Sequence, residues 1–287
     1  MLLTLLLLQG APAATTVGPT ASFRSPRLTE SSGVALSRAH PGILWTHNDS
    51  GDGPYLYATD LHGNDRGAIR VSGAEAVDWE DLALGPCPRR PGDCLYIADT
   101  GDNRERRASV TIYAVLEPDP PSAAADTQRF TAAALALKLR YPDGSHDVEA
   151  LYVSPRDTAV YLVSKGRRGP PRLYRLGHSA WQSDRVVTAE LVQTLPIAVD
   201  RSRGRLVTGA AIRADGAMVA VRTYVDIYLF RFGAQGRLVP GVHPRCSVAG
   251  LERAGEAITF RDDSTLVLTS EADRIGRGAI RVVRCPF

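Results

Sequence analysis

The sequence predicts an all-β fold: a single β-propeller of about five four-stranded blades, six if one long gap holds a degenerate blade, with the ring closed by an N-terminal strand. Three observations carry this. A strand–turn–strand pattern recurs five times along the 287 residues. Each recurrence is followed by a further run rich in Val, Ile, Leu and Tyr and bounded by Gly, Pro, Asp and Asn, the composition of strands rather than helices. After the last such run only Arg284-Cys285-Pro286-Phe287 remain, so the final outer strand is expected from the N-terminus.

The repeats begin at Ser32 (Ser-Gly-Val-Ala-Leu), Glu80 (Glu-Asp-Leu-Ala-Leu), Glu149 (Glu-Ala-Leu-Tyr-Val), Ala210 (Ala-Ala-Ile-Arg-Ala) and Glu256 (Glu-Ala-Ile-Thr-Phe), about 46 to 69 residues apart. Each is followed by a second apolar run ending in polar residues. Third strands are expected at 55–57, 110–115, 172–176, 227–232 and 279–283, and fourth strands at, for example, 130–139 and 186–193. The alanines of 130–139 also suit a short helix, but the place between a third strand and the next blade argues for a strand. Closure of the ring is expected from residues near Ala21–Arg24, which would leave no open sheet edge there.

Leu2–Leu8 is apolar apart from Thr4, and Ala11-Pro12-Ala13-Ala14 offers small residues for a signal peptidase. Residues 1–14 therefore read as an export signal and 15–287 as the propeller, secreted and without a membrane span. Four cysteines fit an oxidising compartment: Cys87 with Cys94 across a short turn, and Cys246 with Cys285, which would pin the last strand. A net charge of +3, without a basic stripe interleaved with aromatics, argues against nucleic acid. A monomer is expected.

Inner strands of a propeller line its central channel, so residues at their ends converge. Glu80, Glu149 and Glu256 start three of the five inner strands, with Asp78 and Asp147 two residues before the first two. The second strands end near Asp49-Ser50-Gly51-Asp52-Gly53 and Asp99-Thr100-Gly101-Asp102-Asn103, which read as near-copies, and in later blades near Lys165, Arg222 and Glu271. Calcium takes six to eight oxygen ligands, and Glu80, Glu149, Glu256, Asp99, Asp49 and Glu271 are the candidates to supply them. Two other readings stand beside this one: turn residues capping loop amides, and an ion-pair ring with Lys165 and Arg222. His47, Lys165 and Arg222 are the candidate catalytic groups, His47 as a base and the two cations as an anion clamp. Trp79 reads as packing between blades.

The strings GVALS, LWTHNDSGD, DWEDLALGP, LYIADTGDN, DVEALYV, YLVSK, VRTY, GEAITF and LTSE span nearly the whole mature chain. They resemble secreted bacterial propellers of the phytase-like and calcium-dependent esterase-like kind. The resemblance implies calcium ions bridging acidic residues and a substrate phosphate at the channel mouth, with bases binding the phosphate. Glu80, Glu149, Glu256, Asp99, Lys165 and Arg222 are the matching types. Two functions follow as expectations: a metal-dependent hydrolase of a small anionic phosphate ester or lactone, or a non-catalytic propeller that binds an extracellular ligand or protein.

Overall fold

The computed structural model describes residues 11–121, 129–197, 202–272 and 276–286. The apolar run of the expected export signal lies outside them, whereas Ala13 and Ala14 pair with Ser247. The chain forms a five-bladed all-β propeller.

Strand β1 (Thr15–Ser22) comes first. Blade one is β2 (Ser31–Leu36), β3 (Leu44–Asn48), β4 (Tyr55–Thr59) and β5 (Ala68–Arg70). Blade two is β6 (Trp79–Pro86), β7 (Asp93–Asp99), β8 (Val110–Leu116) and β9 (Leu135–Arg140). Blade three opens with β10 (Val148–Val153), β11 (Val160–Ser164) and β12 (Arg172–Leu176). Next along the chain are β13 (Val187–Thr188) and β14 (Glu190–Thr194). Blade four is β15 (Val207–Ile212), β16 (Met218–Thr223), β17 (Asp226–Phe232) and β18 (Leu238–Ser247), and blade five is β19 (Gly255–Phe260), β20 (Leu266–Ser270) and β21 (Ala279–Arg284). Strand β1 completes blade five by pairing antiparallel with β21, so the ring closes with the first and last described strands in one sheet. The closing strand begins earlier than expected, at Thr15, with a break in register between Thr16 and Thr20. Among the described residues the only helical turns are three short 3-10 segments.

One outer strand differs from expectation. The 186–193 run is divided: β14 completes blade three against β12, whereas β13 crosses to run parallel to β9 of blade two. Phe130, expected within the outer strand of blade two, instead bridges Arg70 of blade one.

The core is a set of layers between blades rather than one central mass. Trp45 and Leu56 of blade one pack with Leu82 and Ile97 of blade two. Tyr96 and Leu137 pack with Leu151 and Tyr174 of blade three, and Tyr152 and Val163 with Val219 and Phe230 of blade four. Leu229 packs with Leu268 of blade five, and Val267 and Ile280 with Val34 and Tyr57 of blade one. Each blade is covered on both faces, so its inner strands are near-continuous apolar runs instead of alternating ones. Both disulfides form as expected, and Cys246–Cys285 ties the outer strand of blade four to the end of blade five.

Candidate metal centre at the channel mouth

The first and second strands of each blade slip register once, at the same place. The extra residue is Ser32 in blade one, Glu80 in blade two, Glu149 in blade three and Thr208 in blade four, and Glu256 lies in the slipped segment of blade five. Such bulges re-aim a side chain at the end of a pair. Neighbouring blades are joined just here: the Ser32 hydroxyl donates to the Glu80 carbonyl at 2.7 Å and the Thr208 hydroxyl to the Glu256 carbonyl at 2.9 Å. Thr208, not Ala210, is therefore the blade-four counterpart of the glutamates.

The same register corrects the second set. Asn48, Asp99, Ser164, Thr223 and Ser270 are the equivalent last residues of the second strands, so Asp49, Thr100, Lys165, Tyr224 and Glu271 follow them. Asp99 matches Asn48 in role as well. Asn48 Oδ1 accepts the amides of Thr29 and Glu30, and Asp99 accepts those of Val77 and Asp78 while Arg107 holds it at 3.0 Å. Asp99 is thus a loop cap and lies outside both close groups of carboxylates. Arg222 is 1% exposed and donates to the carbonyls of Ala257 and Thr269 and to Glu252, which commits it to the wall of blade five. Tyr224 takes its expected place at the mouth.

His47 is also not at the mouth. It is fully buried between blades one and two, edge-on to Trp79 at 5.4 Å, with Nδ1 on the Asn48 carbonyl. Burial lowers its pKa to about 4, so the ring is neutral. Trp79 is the inter-blade packing residue that the sequence suggested.

What the fold does bring together is a set of carboxylates. One oxygen from each of Asp49, Asp78 and Glu80 lies within 4.8 Å of the others, and the same is true of Glu80, Asp147 and Glu149. Glu80 belongs to both groups. Asp78 and Asp147 are the two ligand-type residues absent from the sequence candidates. Their signal was the repeated Asp-x-Glu spacing, because residues two apart on extended chain point the same way.

This arrangement penalises negative charge. Asp49 is pushed up to about 8 by burial, by Asp78 and by Glu149. Glu149 is pushed up to about 7 by burial, against the pull of Lys165. Glu256 is pushed up to about 8 by burial, by Glu149 and by Glu271. Burial, Glu149 and Asp49 drive Glu80 well above the carboxylate range, and burial and Glu30 raise Glu271. Among the described residues, Lys165, bonded to Glu149, and Arg167, bonded to Asp147, neutralise the cluster directly. Burial acts to lower the Lys165 pKa, but Glu149 overrides it and the ammonium stays charged.

A hard divalent cation fits this donor set. All donors are carboxylate oxygens, the ligand type calcium prefers. Glu80 is 3% exposed and belongs to both carboxylate groups, and Asp49 Oδ1 is buried without a hydrogen-bond partner among the described residues. The backbone beside Glu80 is glycine: a Cβ on Gly101 would lie 2.1 Å from Glu80 Oε1.

No family model matches the chain, and no curated protein matches it. Solved structures do. A gluconolactonase from Xanthomonas campestris is similar at 13% identity over 97% of this chain and 99% of its own, with a TM-score of 0.44. The hydrazine synthase of Kuenenia stuttgartiensis is similar at 12% identity over 86% of this chain, with a TM-score of 0.40, and this chain spans 57% of its length. The five-bladed ring itself rests on the strand pairing of this chain.

Proposed function

We propose that the chain is a secreted, divalent-cation-dependent hydrolase of small anionic phosphate esters or lactones, with calcium as the cation and the channel mouth as the site. The observation that carries this reading is the pair of carboxylate groups sharing Glu80. Asp49, Asp78, Glu80, Asp147 and Glu149 would hold the cation. A bound divalent cation supplies Lewis-acid polarisation and an acidified water. Lys165 orients Glu149 through their ion pair. Glu256, titrating near 8, is suited to hold and release a proton near neutral pH, a role that the buried, neutral His47 is not placed to fill. Two disulfides fit an extracellular protein, and no helix among the described residues is long and apolar enough to cross a membrane.

A second reading, a non-catalytic propeller that binds an extracellular ligand through the same face, is favoured by one observation. Arg222 and His47 are both committed to the walls. The test is the melting temperature of the mature protein in calcium and in chelator, followed by turnover of phosphate esters and lactones by the wild type and by Glu149→Gln. A calcium-dependent rise with turnover that Glu149→Gln abolishes supports the hydrolase. A rise without turnover leaves the binding propeller, and no rise in millimolar calcium removes the cation site.

A further inference from the structure

Beside the carboxylates, on the same face, lies a pocket of about 350 Å³. It is walled by the loop before β10, the loop between β11 and β12, and Glu105. We propose that this pocket is an oxyanion subsite that holds the phosphate or carboxylate group of the substrate, an inference that rests on the cation-site reading for what happens at the other end of that molecule.

Three guanidinium groups line the pocket, Arg167, Arg168 and Arg172, against two carboxylates, Glu105 and Asp143. Each arginine is anchored, yet none is used up. Arg168 Nε pairs with Glu105 at 2.5 Å, which leaves both terminal nitrogens. Arg172 Nη1 bonds Asp143 at 2.7 Å and His146 Nε2 at 3.1 Å, and the guanidinium also donates to the Tyr174 hydroxyl, which leaves part of the fork. Arg167 uses Nε on Asp147 and Nη2 on Asn103, which leaves Nη1. Anchored forks with spare N–H groups are the usual means of binding phosphate and carboxylate, because the carboxylate partner fixes the plane and the free edge meets the ligand. Gly166 and Gly169, both at positive φ, keep side chains off the loop that carries Arg167 and Arg168.

Arg167 makes the pocket part of the site rather than a separate basic patch. It bonds Asp147, one of the grouped carboxylates, and also lines the pocket, so it is their common wall. The acidic cluster alone would repel an anionic substrate. Free N–H groups on the anchored guanidiniums, next to a bound cation, would hold the anionic end while the scissile bond lies over the carboxylates.

The test is titration of inorganic phosphate into the mature, disulfide-intact protein in chelator, so that no calcium phosphate forms, read by calorimetry. Saturable one-to-one binding is expected. Arg168→Gln and Arg172→Gln should each weaken it about tenfold, the loss of a charge-assisted hydrogen bond. Arg168 has a side chain 76% exposed, so this variant folds, and Arg213→Gln, on the turn at the opposite end of β15, is the control with unchanged affinity. Absence of saturable binding, or wild-type affinity in both pocket variants, overturns the subsite. Calcium titrated separately keeps the two proposals apart. Calcium binding without phosphate binding removes the subsite alone. Phosphate binding without calcium binding removes the cation centre and leaves an anion pocket.

Discussion

Gly101 and Glu80 approach so closely that a single added carbon would collide with the carboxylate: a Cβ on Gly101 falls 2.1 Å from Glu80 Oε1 and 2.5 Å from Asp78 Oδ2. Backbone without a side chain is what lets the two acids share one space. Gly101→Ala should therefore displace Glu80 and Asp78 and abolish the calcium-dependent rise in melting temperature, with the far-ultraviolet circular dichroism spectrum unchanged. A full calcium response in this variant would show that the two acids do not act together on a cation.

Calcium itself should stabilise the wild type. A ligand at a hundred times its Kd adds about 2.7 kcal/mol. For a domain of this size that corresponds to about 5 °C in Tm. Glu149→Gln, which removes one carboxylate charge and loosens Lys165, should cut the shift by more than half in the same thermal scan.

The pH dependence follows from the raised carboxylates. Asp49 and Glu256 titrate near 8 and Glu149 near 7 in the folded protein, against ordinary values of about 4. Between those values the folded state binds more protons than the unfolded one, so stability falls as pH rises. In chelator the contribution of these groups is fully present below pH about 4 and is lost as pH rises through about 7 to 8. Calcium must displace the same protons, so its affinity should increase across pH 6 to 8. Melting curves in chelator that are flat from pH 5 to 8 would contradict the crowding of these acids.

Asp81 is a purely structural acid on the same inner strand as Glu80. It is fully buried, with Oδ1 on the Leu82 amide and Oδ2 accepting from Leu151 at 2.7 Å and from Ala210 at 3.2 Å. It thereby joins blades two, three and four. Asp81→Ala would leave those amides unpaired, each at a cost of about 1–3 kcal/mol. Urea unfolding should show a loss of several kcal/mol, larger than that of Asp99→Ala, which opens one loop.

The two disulfides should differ in worth. Cys246 and Cys285 are 39 residues apart, and Cys87 and Cys94 only 7. Loop entropy assigns about 4 kcal/mol to the longer bridge and about 2.5 kcal/mol to the shorter. The double alanine variant of the longer pair should therefore melt lower than that of the shorter pair.

Much of the architecture was legible in the sequence, because a propeller blade writes itself as a repeat: apolar strand, turn, apolar strand, polar end. The five inner strands, both cysteine pairs and closure by the N-terminus could be read in this way. So could Glu80, Glu149, Glu256 and Lys165, the residues that the ring gathers at its mouth. Register could not be read. Inner strands buried on both faces lack the alternation that pins a strand to one pairing, and a one-residue bulge leaves no mark in composition. Ala210 therefore stood for Thr208, Arg222 for Tyr224 and Asp99 for Thr100, each a slip of one or two residues. The sequence alone determined that acids would converge on an axis. Only the tertiary structure decided which acids meet, that Arg222 and His47 are held in the walls, and that Asp78 and Asp147 join the cluster. Those outcomes depend on distances between blades far apart along the chain, which close only when the ring does.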